Sequence, residues 1–183
     1  GLRFKLTADI SVENQLGTSG TPFKGYFDGQ GHTVTSNNAL FDYAQGAIIR
    51  NVSGTAGIAA NISGESIIRN CASYGDNLVG TNSGTLKIIN SLHAPENNSG
   101  NFVGTGNATI TNSYTTGAAQ DGATKVYRAT DLPAGLKFTT DNNFVKYFGK
   151  NYIAQGTTIN FAMDGNAYYK LSSMKVNGEA VTD

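Results

Sequence analysis

Asp28 and His32 stand four residues apart in PFKGYFDGQGHTV, residues 22–34, among three glycines. A carboxylate beside an imidazole is the raw material of acid–base chemistry, and a glycine-rich loop can cradle phosphate. The phosphate reading fails on the residues just after the glycines. A phosphate loop runs into Gly-Lys-Ser/Thr at the start of a helix. This one runs into Gly31-His32-Thr33-Val34-Thr35, which is β-branched, alternating and strand-like. The turn reading accounts for every residue: Phe23, Phe27 and Val34 are apolar strand positions, and Asp28-Gly29-Gln30-Gly31 is the bend between strands.

Other reactive residues are few. Cys71 is the only cysteine, so the chain has no internal disulfide and no cysteine zinc site. The histidines His32 and His93 lie far apart, and neither an EF-hand loop nor a glycine–aspartate calcium repeat is present. The carboxylates Asp9, Glu13, Asp28, Asp42, Glu65, Asp76 and Glu96 occupy no common repeat position. The two carboxylates of a glycosidase need a fixed separation, and nothing in that set supplies one. The expectation is no catalytic residue, no metal ligand and no cofactor.

Composition narrows the class. Charged residues make up 14% of the 183 residues, below the ~25% usual in soluble domains. The 23 glycines show no period of three, which excludes collagen, and the formal net charge is zero, which gives no electrostatic footprint for nucleic acid. No apolar run approaches the ~20 residues of a membrane-spanning helix. The chain starts on strand-like residues (Leu2-Arg3-Phe4-Lys5-Leu6-Thr7) with no signal-peptide pattern.

No segment keeps a helical apolar period, but the middle of the chain repeats. GAIIRNV (46–52), GESIIRNC (64–71), GTLKIINS (84–91) and GNATITNS (106–113) align, the last three as Gly-x-x-x-Ile-x-Asn. The asparagines Asn51, Asn70, Asn90 and Asn112 are spaced by 19, 20 and 22 residues. Before each segment comes a short apolar stretch: Leu40-Phe41, Ile58-Ala59-Ala60, Leu78-Val79-Gly80, Phe102-Val103-Gly104. Units of about twenty residues with short strands cannot bury an apolar face alone, whereas stacking them does, and that points to a β-solenoid. Coils stacked about 4.8 Å apart would let an inward asparagine at one corner pass its amide hydrogen bond to the next coil. The expectation is an Asn51–Asn70–Asn90–Asn112 ladder. Cys71 shares its slot with Val52, Ser91 and Ser113, so it reads as a structural small residue beside that ladder.

Leu78-Val79-Gly80-Thr81-Asn82-Ser83-Gly84, with Ile88, Asn90 and Ser91, resembles the GLUG motif of bacterial surface and secreted proteins. Phe4–Ile10 and Phe23–Val34 look like opening coils of the same right-handed parallel β-helices. The resemblance covers residues 2–117. It implies an extracellular or bacterial cell-surface protein, adhesin-like, and says little about activity. Ile58-Ala59-Ala60-Asn61 departs from the motif at no physical cost.

Near residue 120 the composition shifts. Residues 121–183 hold 13 of the 26 charged residues and 9 of the 18 aromatics. Strands are predicted over 136–140, 144–148, 152–154, 157–163, 168–176 and 179–182. Asp141-Asn142-Asn143, Asp164-Gly165-Asn166 and Asn177-Gly178 are the predicted turns, and Asp131–Gly135 a connecting loop. Tyr152–Ile159, Tyr168–Leu171 and Val176-Asn177-Gly178 resemble the small all-β repeats related to internalin B-repeats. Those repeats continue past Val-Asn-Gly, so this module is expected to be truncated or part of a longer protein.

The predicted architecture is all-β. A single-stranded right-handed parallel β-helix of about six coils spans 1–119, and a small β-sandwich-like module spans 120–183. With Ile at Asn−2 pointing in, the outward pairs are Ile48/Arg50, Ile67/Arg69, Lys87/Ile89 and Thr109/Thr111. A regular Thr-x-Thr face would suit ice, but only the last coil carries one. Ile48, Ile67, Arg50, Arg69 and Lys87 are the ligand-binding candidates, a docking strip for the second module, an anionic glycan or a protein. The expected function is non-enzymatic display of glycan- or protein-binding surfaces by a monomer that inserts in no membrane and binds no nucleic acid. A polysaccharide-active enzyme or its remnant, and a plain stalk, are the alternatives.

Overall fold

The computed structural model describes residues 1–130, 136–163, 175–176 and 179–180. The chain divides into two compact units: Gly1–Ala129 with Phe144–Gly156, and Thr130–Asn143 with Thr157–Asp183.

The first unit is a β-solenoid of about six turns, and no helix occurs among the described residues. The first turn carries β1 (Arg3–Lys5) and β2 (Ile10–Ser11), and the second β3 (Tyr26–Asp28), β4 (Thr33–Thr35) and β5 (Phe41–Gln45). The third has β6 (Ile48–Arg50), β7 (Ser53–Gly54) and β8 (Ala59–Ser63); the fourth β9 (Glu65–Arg69), β10 (Ala72–Ser73) and β11 (Asn77–Asn82). β12 (Thr85–Ile89), β13 (Leu92–His93) and β14 (Asn101–Thr105) make the fifth, and β15 (Thr109–Thr111) and β16 (Ser113–Thr115) the sixth.

Each turn lays one strand on each of three parallel sheets. Face one is β1-β3-β6-β9-β12-β15, face two runs from β2 to β16, and face three is β5-β8-β11-β14. In the first turn, Leu16 and Phe23 bridge in parallel to Phe41 and Ala44 of face three.

The repeat sets the register, because equal spacing returns the same side chain to the same position one turn later. On face one the column is Phe4, Phe27, Ile49, Ile68, Ile88, Ile110. On face three it is Phe41, Ala59, Val79, Val103. Ile49, Ile68, Ile88, Phe41, Val79 and Phe102 lie within one continuous core. On faces one and two side chains alternate in and out along a strand, so one or two inward residues per strand suffice to fill the interior.

β17 (Ala123–Arg128) runs parallel to β16 and extends face two by one strand. In the second unit β18 (Leu136–Phe138) pairs antiparallel with a later strand. Between them in the chain, β19 (Val145–Tyr147) and β20 (Lys150–Ala154) form an antiparallel hairpin whose second strand pairs with β17. The predicted strands 144–148 and 152–154 therefore lie in the first unit. The hairpin turns through Phe148 and Gly149, both at positive φ, so the strand predicted through Phe148 ends one residue earlier, at Tyr147. β18 meets β21 (Phe161–Met163), and β22 (Lys175–Val176) meets β23 (Glu179–Ala180), also antiparallel. The predicted features at 131–135, 164–174 and 177–178 lie outside the described residues.

Candidate functional site

The glycine-rich bend at residues 28–31 is a corner between face one and face two. His32 N–H donates to Gly29 O at 2.8 Å across Gln30 and Gly31, which adopt φ of 50° and 87°. Asp28 is more than a turn residue. The residue is 4% exposed, and its carboxylate accepts from Gln30 N–H and Asn51 Nδ2 and is held by Arg50 Nε at 3.0 Å and Nη2 at 2.7 Å. Burial pushes its pKa up, but the bonds from Asn51, Gln30 and Arg50, with the Arg50 charge, outweigh this and hold it below the ordinary value. His32 pairs instead with Asp9, at 3.1 Å, and Asp9 also accepts from Thr33 N–H. Asp28 and His32 are thus tied to different partners.

All four repeat asparagines take the left-handed backbone, with φ of 47–53°. The ladder is shorter than the spacing suggests. Asn70 Nδ2 donates to Asn51 Oδ1 at 3.1 Å, Asn51 passes the relay to Asp28, and Asn70, Asn90 and Asn112 are exposed rather than inward. A left-handed residue at a corner turns its side chain toward solvent, which is the physical reason.

The inward ladder runs one residue later, through Cys71, Ser91 and Ser113. Cys71 N–H donates to Ser91 Oγ at 3.2 Å, and Ser91 N–H to Ser113 Oγ at 3.1 Å. Each side chain in turn donates to the carbonyl two residues back: Cys71 to Arg69, Ser91 to Ile89, Ser113 to Thr111. Burial pushes the Cys71 thiol up to about 12, which leaves it protonated and inert at neutral pH.

The outward strip on face one is in the register that alternation predicts: Ile48 beside Ile67 beside Lys87, and Arg50 beside Arg69 beside Ile89. The two arginines differ. Arg50 is engaged by Asp28 and lies over the Tyr26 ring, 4.9 Å from its centroid. Arg69 and Lys87 are exposed, and Ile48 is 37% exposed. The surface available for a partner is therefore Ile48, Ile67, Arg69 and Lys87.

Face two is where alternation gives an unexpected result. Its outward residues Ala72, Leu92 and Ala94 are fully buried, because the β19–β20 hairpin lies over them with Val126 and Tyr152. Tyr147 meets Tyr114 edge-on at 5.7 Å, and Lys150 Nζ sits 3.7 Å from the Tyr74 ring centroid. Inward on the same face stand Ser73, His93, Thr115 and Lys125. His93 Nε2 donates to Asp76 O at 3.0 Å and Gly75 O at 3.2 Å, and Lys125 Nζ donates to Thr116 O and Gly117 O.

Face three keeps an open outer surface. Tyr43, Asn61 and Thr81 stack in one outward column, with Gln45 and Ser63 in the next. These residues, with Lys24, line a groove of about 420 Å³ walled by the 19–24 loop. Alternation along the asparagine-bearing strands alone does not reveal it. Alternation does not mark these slots on face three either, because the buried positions there fall three residues apart, Phe41 and Ala44, Ala59 and Ile62, Val79 and Asn82. Among the described residues no three His, Cys, Asp or Glu side chains converge on a metal-sized site. No protein-family model, curated protein or solved structure matches the chain.

Proposed function

We propose that this chain is a non-enzymatic secreted or cell-surface protein, adhesin-like, in which a stiff solenoid presents binding surfaces for a glycan or a protein. The observation that carries the reading is the face-one strip, where exposed Ile48 and half-buried Ile67 run beside Arg69 and Lys87, cations with no acidic partner among the described residues. An apolar pair flanked by unpaired cations suits a partner with an apolar patch and negative charge. The groups best able to do chemistry support a binding role over a catalytic one. Asp28, His93 and Cys71 are buried in structural hydrogen bonds, and His32 is paired with Asp9. The likeness of residues 78–91 to the GLUG motif, and of the C-terminal segment to internalin-type repeats, supports a bacterial surface setting.

Binding of the chain to a broad array of glycans and of extracellular proteins, at micromolar concentration, tests this. At least one reproducible ligand is expected that survives intact, with Arg69→Glu/Lys87→Glu weakening it about tenfold if it docks on the strip. Cleavage of a bound polysaccharide would overturn the non-enzymatic reading. A blank array would leave a structural stalk.

A further inference from the structure

We infer that the groove on face three is a binding site for a linear neutral polysaccharide that runs along the solenoid axis; this rests on the binding-protein reading and names the ligand class. The floor is polar without being charged. Tyr43, Gln45, Asn61, Ser63 and Thr81 are all half-buried or exposed, and Ala44 and Ile62 between them belong to the core, with the buried amide of Asn82 next in their column. Of these side chains only Asn61 ties one turn to the next. Asn61 Nδ2 donates to Asp42 O at 3.1 Å, which fixes the amide, and its oxygen makes no hydrogen bond among the described residues. Tyr43, Gln45, Ser63 and Thr81 make no side-chain hydrogen bond among the described residues.

Hydroxyls and carboxamides both donate and accept. Their natural complement is a ligand whose groups also do both, and a sugar hydroxyl does. An extended peptide fits less well, because these strands offer their faces, not an unpaired backbone edge, to the groove. Charge points the same way: the floor carries none, and Lys24 on the wall is the single charged lining residue. A polyanion would find one cation, while a neutral chain loses nothing by desolvation of charge.

The repeat supplies the geometry. Tyr43, Asn61 and Thr81 recur one strand spacing apart, about 4.8 Å, so the same kind of contact returns at each turn along the axis. A polymer of similar units meets the same chemistry at each step. At one end of the column the half-buried Tyr43 lines the groove and adds an aromatic ring to its floor. The wall is preorganised: Thr18 and Thr21 close their loop with Oγ1–Oγ1 at 2.8 Å and Thr21 N–H to Thr18 Oγ1 at 3.1 Å. Phe23 N–H then pins the loop to Tyr43 O at 2.9 Å. A site that does not have to order itself keeps more of its contact energy as affinity.

Affinity electrophoresis of the full chain through gels containing a mixed-linkage β-glucan, a galactomannan or a xyloglucan tests the inference, with a pectate gel as charged control. Retardation by at least one neutral polymer is expected. Ser63→Arg and Tyr43→Ala should each weaken it tenfold or more, and Ser63→Arg should leave thermal unfolding unchanged because its side chain supports nothing in the fold. Retardation by none of the neutral polymers, stronger retardation by pectate, or binding indifferent to both groove variants would overturn the groove assignment. If Arg69→Glu/Lys87→Glu abolishes binding while the groove variants do not, the binding-protein reading stands and only the groove falls. If every gel is blank but a protein ligand is captured on the array, the saccharide class is wrong and the display role remains.

Discussion

His93 is fully buried in a column where earlier turns carry Val34 and Gly54, and its ring packs 5.6 Å from Phe102. The two carbonyls at Nε2 fix the proton there, so Nδ1 is left as the acceptor for Thr115 Oγ1, 3.4 Å away. Burial lowers its pKa from 6.5 to about 4, against the opposing pull of those carbonyls. The folded chain therefore holds His93 neutral where the unfolded chain takes up a proton. Its stabilising share is complete above pH 6.5, falls as pH drops, and is gone below about pH 4. Between pH 7 and 5 that is about 2 kcal/mol. Urea midpoints at the two pH values should show wild type losing about that much more than His93→Gln; parallel losses would refute the burial account. None of this is legible in the sequence, since one histidine in a two-residue strand shows no alternation. The asparagine corners are legible because only a few residue types accept φ near 50°. Which of two adjacent slots carries the inward hydrogen bonds is not, because Asn-Ser and Asn-Cys look alike until the corner's direction is known.

At the scale of elements, the turns of the solenoid can be read from spacing because stacking forces like residues into register. Gly84 shows how tightly: a Cβ there would collide with the backbone N and O of Gly64 one turn earlier. The hairpin over face two is half legible. Its strands are visible as aromatic alternation, but its docking depends on outward Ala72 and Leu92, set in strands of two residues, too short to display a period. Composition misleads here, because the rise in aromatics near residue 120 serves a cover for the solenoid as well as a separate unit. Leu92 and Tyr152 share the cluster beneath the hairpin. Leu92→Ala and Tyr152→Ala should each cost about 3 kcal/mol, and the double variant clearly less than twice that, since the second truncation acts on packing already loosened. Strict additivity in a chemical-denaturation cycle would mean that the hairpin does not cover Leu92.

For the solenoid unit as a whole, stability is a sum of turns and of the interfaces between neighbours. The central turns have a neighbour on each side, whereas β1 pairs on one side only, with β3. Its residues are exposed throughout, and the apolar columns surface there: Phe4 heads the isoleucine column at 46% exposure, and Leu16 heads the face-three column at 41%. The other end is covered on face two, while β15 and β14 end faces one and three. β17 adds a strand to face two, Lys125 caps the carbonyls of Thr116 and Gly117, and Arg128 clamps the 94–98 loop through Ala94 O, Pro95 O and Asn98 Oδ1. Those bonds tie the last turns to β17, which pairs with the second strand of the hairpin, so fraying should be one-sided. Amide hydrogen exchange measured under native conditions should be slowest in β9 and β12, and about a hundredfold or more faster in β1 and β2, with β13 and β16 on the protected side. That ordering comes from opening energies that rise with the number of interfaces broken. Equal exchange at both ends would mean that the cap contributes nothing. Fastest exchange in β16 would place the weak end at the hairpin and reverse the argument.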